Sequence, residues 1–293
     1  MSSTAPGLRA VLAKALPVGL SVLLLAGVLS GCSQGASSTP APPKDGSPSG
    51  VETSASAAAS SPVPDDAWRR WGLDKPLAPS PAPPVKKLTD ELKPGTVPPV
   101  VKSVRTDDKV VFLTFDDGAE KDPEFVKMAK ELKLPFTMFL TDDIARAGAG
   151  YGYFDQLRSL GNAVQNHTLS HPNLRTLSPE DQRREICGQQ DRLAKRYGAR
   201  PPLFRPPYGN YNNATLAAAG GCGVRAVVLW EATMQINDMR YARGDKLHAG
   251  DIVLAHFRGP KELKGTTMTR MVINMLRSIQ AQGFTVARLD DYV

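Results

Sequence analysis

Thr114-Phe115-Asp116-Asp117-Gly118 closes an apolar run, Val110-Val111-Phe112-Leu113. Two adjacent carboxylates at the end of a buried strand repel each other and lose hydration. A fold tolerates that when a cation or a base neutralises one of them. Further along stands Asn166-His167-Thr168-Leu169-Ser170-His171, which holds two of the four histidines in the chain. Imidazoles four apart share one face of a helical turn, a metal-ligand spacing. One Asp and two His make a three-ligand set with one position left open, the arrangement of a catalytic metal site.

Such a site needs elements that end on a common rim. From residue 109 onward, apolar runs of strand length alternate with helical patterns. The predicted strands are 110–115, 136–140, 163–166, 203–205, 224–230, 251–256 and 284–289, and the predicted helices are 123–132, 153–160, 179–197, 212–219 and 267–282. Gly161, Gly198, Gly250 and Gly283 punctuate the junctions. Alternating strand and helix implies a mainly parallel α/β architecture, and seven strands suit an incomplete (β/α) barrel better than a full eight-stranded one. Asp116, Asp117, His167, Arg205-Pro206-Pro207-Tyr208-Gly209 and His256 then all fall at C-terminal strand ends, where such barrels build their sites. Alone, each piece has a bland reading: a turn signal, a polar helix face, a rigid loop, a core histidine. Their convergence on one rim is what favours chemistry.

The 293 residues carry 36 basic and 29 acidic side chains, a formal charge of +7. No basic run concentrates that charge and no nucleic-acid motif is present, so nucleic acid is not an expected partner. Arg9 and Lys14 precede an apolar stretch, 15–29, that is too short to span a bilayer comfortably and ends in Leu29-Ser30-Gly31-Cys32. This resembles the signal segment and lipobox of bacterial lipoproteins. The resemblance implies cleavage after residue 31, lipidation of Cys32 and anchorage on the outer face of the cytoplasmic membrane. Residues 32–85 are rich in Ser, Ala and Pro and are expected to be a disordered linker, interrupted by Ala67-Trp68-Arg69-Arg70-Trp71-Gly72-Leu73, which is expected to dock. Residues 86–108 read as a lead-in and 109–293 as the domain. Outside the cytoplasm Cys187 and Cys222 can oxidise, but the sequence leaves open whether they approach.

The ordered set Thr114-Phe115-Asp116-Asp117-Gly118, His167-Thr168-Leu169-Ser170-His171, Arg205-Pro206-Pro207-Tyr208-Gly209 and Leu254-Ala255-His256 resembles motifs of the polysaccharide deacetylase family, the NodB-homology or carbohydrate esterase family 4 domain. The resemblance implies metal-dependent removal of acetyl groups from N-acetylated, or O-acetylated, cell-wall or extracellular glycan such as peptidoglycan or a chitin-like polymer. It implies Asp117, His167 and His171 as metal ligands. It makes Asp116 the general base with Arg205 as its charged partner, and His256 the general acid. Tyr208, Pro207 and Trp230 fall on the substrate and oxyanion side. Nitrogen and oxygen ligands with an open position suit Zn²⁺, or another divalent ion such as Co²⁺. A monomer is expected. One departure stands out: in Trp230-Glu231-Ala232-Thr233, Thr233 occupies the place where the family carries an aspartate that tunes the histidine matching His256. Glu231 and Asp238 are the acids near enough in sequence to compensate. Without compensation, a metal- and glycan-binding lipoprotein with little turnover is the alternative.

Overall fold

The structure, a computed structural model, describes residues 66–90, 92 and 96–293. The expected signal segment, Cys32 and the first part of the linker lie outside the described residues. In chain order the strands are β1 (Val100–Val101), β2 (Val110–Asp117), β3 (Thr137–Leu140), β4 (Ala163–Asn166), β5 (Leu203–Phe204), β6 (Ala226–Val228), β7 (Ala232–Gln235), β8 (Asp238–Tyr241), β9 (Ile252–His256) and β10 (Thr285–Ala287). The helices are α1 (Ala67–Arg70), α2 (Pro123–Glu131), α3 (Asp142–Ala145), α4 (Tyr151–Ser159), α5 (Pro179–Tyr197), α6 (Asn213–Gly221) and α7 (Met268–Ala281).

Strand β2 is the axis of the fold. Its apolar run is continuous because both faces are covered. Val110 and Phe112 point inward with Phe139, Val228, Ile252 and Leu289. Val111, Leu113 and Phe115 point outward beneath apolar residues of α2, α4 and α7. Each of these five β2 side chains is fully buried, which stabilises the fold by about 1.5–3 kcal/mol apiece. The sheet runs β1-β6-β5-β4-β3-β2-β9-β7-β8, parallel throughout except for the β7–β8 hairpin. Strand β10 pairs with the first half of β2, over Val110 to Phe112, and β3 with the second half, from Thr114 to Asp117. The β1 edge curls back toward β9 through a bridge between Ser103 and Asp251. All seven predicted strands are present, and the α/β half-barrel is the expected fold class. Residues Asp122, Ser178 and Thr267 cap α2, α5 and α7 through their side chains, where Ser, Thr and Asp are favoured.

Two boundaries differ from the sequence reading. The segment 67–73 docks as expected, beginning with the short helix α1, but the linker expected to continue to residue 85 does not resume after it: 74–90 also follows the body, as a strap. Leu73 is buried in the core, Trp71 Nε1 donates to Glu131, Gln280 Nε2 donates to the carbonyls of Lys75 and Pro76, and Thr285 Oγ1 donates to that of Ala78. Proline-rich backbone lacks donors for a ladder, so side chains of the body supply bonds to its carbonyls. The second difference follows β6, which is shorter than the predicted 224–230 and leads into the unforeseen hairpin β7–β8.

Candidate functional site

Inward-facing residues of β2 and its neighbours build the rim. Thr114 and Asp116 alternate on the inner face, and Asp116 stands in register with His256 on β9. Regular alternation would send Asp117 to the opposite face. Its backbone instead takes φ 72°, and the following Gly118 takes φ 93°. This left-handed step turns both carboxylates toward the same rim. A Cβ on residue 118 would come within 2.9 Å of the Phe154 ring, so the step admits only glycine there.

His167 follows β4, but the two histidines do not lie on a helical turn as their spacing suggested. They flank an irregular turn in which Thr168 and His171 have φ 72° and 61°. That turn still brings both rings to Asp117. Asp117 Oδ1 is 3.2 Å from His171 Nε2 and 3.5 Å from His167 Nε2. Tetrahedral coordination at Zn–N and Zn–O distances near 2.0–2.1 Å places neighbouring ligand atoms about 3.3 Å apart, and both Asp117–histidine distances suit a small divalent ion. Two further features agree. Asp117 Oδ1 is buried and accepts no hydrogen bond of good geometry. His167 Nδ1 lies 2.7 Å from the Arg205 carbonyl, which can only accept, so the ring proton sits on Nδ1 and the Nε2 lone pair faces the carboxylates. In the protein without metal, burial opposes ionisation of Asp117, yet the adjacent imidazoles of His167 and His171, with the charge of His256, hold its carboxyl far below the usual range. Burial also disfavours a charged His167, but Asp116 and Asp117 outweigh it and raise its pKa. The pocket between these groups demands positive charge, which a proton or a metal ion can supply.

Arg205, immediately after β5, is completely buried, and each of its three side-chain nitrogens donates a hydrogen bond. Its Nη1 donates to Asp116 Oδ1 at 2.6 Å and to Thr114 Oγ1 at 2.8 Å, Nε to the Val228 carbonyl and Nη2 to the Leu229 carbonyl. The guanidinium lies 4.3 Å from the Phe139 ring centroid and 5.7 Å from that of Trp230. Asp116 is therefore gripped from below, while its Oδ2 lies 3.7 Å from His167 Nε2.

Pro206 and Pro207 lead into Tyr208, which has φ 61°, and whose exposed ring stands edge-on to His171 at 4.7 Å. Among the described residues nothing accepts a hydrogen bond from the Tyr208 backbone N–H. Trp230 is half-buried, and the tip of its ring packs against Gly209. His256 is the weakest-anchored member. Burial lowers its pKa, Asp116 and Asp117 oppose that shift, and Arg258 and His167 add to it. Neither sequence candidate replaces the missing aspartate: Glu231 pairs with Arg243, and Asp238 with Arg240. Thr233 is in register with Leu254, a layer below His256. A cleft of about 360 Å³ adjoins His256, lined by Gln235, Arg240, Arg258 and Glu262 among others. Thr114 and Gln235 escaped the sequence reading. Period-two spacing from Asp116 carried a signal for the first, whereas the second is placed by the unforeseen hairpin.

The chain matches the family model described as polysaccharide deacetylase over residues 103–227. It is 48% identical over 199 residues to an uncharacterized protein of Streptomyces coelicolor, covering 67% of this chain and 78% of that one. It is 36% identical over 121 residues to the peptidoglycan-N-acetylmuramic acid deacetylase PdaC of Bacillus subtilis, covering 39% of this chain and 25% of PdaC. The chitin deacetylase of Colletotrichum lindemuthianum superposes with a TM-score of 0.56 at 19% identity, over 69% of this chain and 93% of that one. With this fold and these ordered motifs, the chain belongs to the polysaccharide deacetylase family.

Proposed function

We propose that the protein is a metal-dependent hydrolase that removes acetyl groups from N-acetylated cell-wall or extracellular polysaccharide. The observation that carries this reading is the Asp117, His167, His171 cluster, whose donor atoms all lie within 4.8 Å of one another, set directly beside the Arg205-held carboxylate of Asp116. The bound ion, Zn²⁺ or a similar divalent cation, supplies Lewis acidity that makes water more acidic and polarises the acetyl carbonyl. Asp116, fixed by Arg205 and unable to swing away, takes the proton from the attacking water. The unpaired N–H of Tyr208 donates to the oxygen on which negative charge develops. His256, in register with Asp116 on the neighbouring strand, delivers a proton to the leaving amine. Asp116 and His256 thus sit side by side, as base and acid for one bond cleavage.

The relatives favour a bacterial wall glycan, and anchorage through Cys32 on the outer face of the membrane belongs to the same proposal. The test is acetate release from the purified chain with Zn²⁺, on chito-oligosaccharide, peptidoglycan and acetylated xylan side by side. Release from one of the first two supports an amide-directed enzyme, and release only from xylan points to an ester-directed one. One observation favours a second reading. Among the described residues no carboxylate forms an ion pair with His256, so a chain that binds metal and glycan without turnover is the alternative, and it predicts no acetate from any of the three.

A further inference from the structure

The turn that presents His171 is intrinsically unfavourable. Thr168 is β-branched and His171 carries a bulky ring, yet both have left-handed φ. Something outside the turn must over-determine it. Helix α5 does so with one acidic side chain. Glu185 Oε2 accepts the backbone N–H groups of Leu169 at 3.1 Å and Ser170 at 2.9 Å, and Oε1 accepts the Ser170 hydroxyl at 2.8 Å. Both carboxylate oxygens are thereby committed to three successive donors of the turn. No cation pairs with Glu185 among the described residues. It also lies beyond the first turn of α5, past the region where the helix dipole rewards an acid. Its placement has no helix-intrinsic reason.

The same face of α5 fits the turn closely. Leu169 lies against Gly188, where an added Cβ would come within 2.6 Å of a Leu169 methyl. In the next two residues of the helix, Gln189 Nε2 donates to the Leu140 carbonyl and Gln190 Oε1 accepts from Asn166 Nδ2. Asn166 Oδ1 in turn accepts the N–H of Thr168. Behind these contacts the Cys187–Cys222 disulfide joins α5 to the end of α6, with Cα atoms 5.0 Å apart. The helix is a splint braced from behind.

We propose that Glu185 is a positioning residue for the metal site, acting through the 168–170 turn to hold His171 in ligand geometry. The inference rests on the metal reading of the site but not on turnover. Outer partners of metal ligands typically set affinity by about 10–100-fold. The test is Zn²⁺ affinity of the full chain by competition with a chromophoric chelator, with Co²⁺ absorption as a second readout. Glu185→Ala is expected to weaken Zn²⁺ by about 10-fold or more and to alter the Co²⁺ ligand-field bands. Glu185→Gln, which keeps an acceptor oxygen for the two N–H groups, is expected to restore most of the affinity. Arg183→Ala, exposed on the same helix, is the control and should bind as wild type. If Glu185→Ala does not fold, Glu185→Asp takes its place and should fall between Glu185→Gln and the full loss. Wild-type affinity and an unchanged Co²⁺ spectrum in the folded Ala or Asp variant would overturn the inference. If wild type binds Zn²⁺ tightly but releases no acetate, the enzymatic reading fails while the positioning role is still decided. If wild type binds no Zn²⁺, both fail.

Discussion

Replacing Arg205 by Met tests how the site holds its base. The guanidinium is fully buried and makes four hydrogen bonds, to Asp116, Thr114, Val228 and Leu229. Removing one partner of a buried ion pair costs about 3–5 kcal/mol, because the other charge stays behind without compensation. The carbonyls of Val228 and Leu229 also lose their donors, at about 1 kcal/mol each where the backbone can partly re-pair. The expected loss is about 5–7 kcal/mol, much of the stability of an ordinary domain. Urea unfolding in excess Zn²⁺ measures it. Arg205→Lys keeps the charge but cannot span the two carbonyls and Asp116 together, and should lose less. Arg205→Met combined with Asp116→Leu removes both charges, and its loss should be smaller than the sum of the single losses by at least about 2 kcal/mol. Arg205→Met losing under about 1 kcal/mol, or strict additivity in the double variant, would refute the view that this buried pair organises the site.

Other consequences follow from the same geometry. His256 has its pKa lowered, so an acid that must be protonated should fail early: the basic limb of kcat/KM is expected below the ordinary histidine range, and Gln235→Glu, which adds a carboxylate to the cleft beside His256, should move that limb to higher pH. Without metal, His167 has a raised pKa, so its contribution to stability is complete below about pH 6.5 and is lost as pH rises through the folded value. Thermal scans in chelator should therefore show a fall in Tm on the alkaline side that Zn²⁺ abolishes. The Cys187–Cys222 bridge closes a loop with a sequence separation of 35. Replacing both cysteines with Ala should cost about 3–4 kcal/mol in urea unfolding, and no loss would mean that α5 is held by packing alone. Trp71→Ala, which removes the bond to Glu131 and strap packing, should lower stability by about 1–3 kcal/mol and raise proteolysis ahead of residue 90 while leaving Zn²⁺ affinity unchanged.

Much of this arrangement could be read from residue order, and the exceptions have physical causes. Strand ends are local properties, so apolar runs bounded by glycine and proline placed Asp116, Asp117, His167, Arg205 and His256 on one rim. The conformation joining His167 to His171 is not local. Spacing suggested a helical turn, whereas bonds to Asn166 and Glu185 hold an irregular one, and Glu185 carries no sequence signal because its partners, two backbone N–H groups and the Ser170 hydroxyl, lie sixteen and fifteen residues away. The hairpin after β6 was hidden by its short strands. Its alternation of buried Ala232 and Met234 with half-buried Thr233 and Gln235 is a legible pattern only once β9 supplies the neighbouring edge. Beyond the island at 67–73 the strap has the composition of a linker, and what distinguishes it from one is the set of bonds that Gln280 and Thr285 of the body make to its carbonyls.

The most direct measurement is acetate release during a Zn²⁺ titration of the metal-free chain on N-acetylated glycan, alongside Asp117→Ala. Release that rises to a plateau at one equivalent of bound Zn²⁺, and is absent in Asp117→Ala, is the expected result. Stoichiometric Zn²⁺ binding with no acetate from any acetylated glycan, or equal release by Asp117→Ala, would contradict a metal-dependent deacetylase.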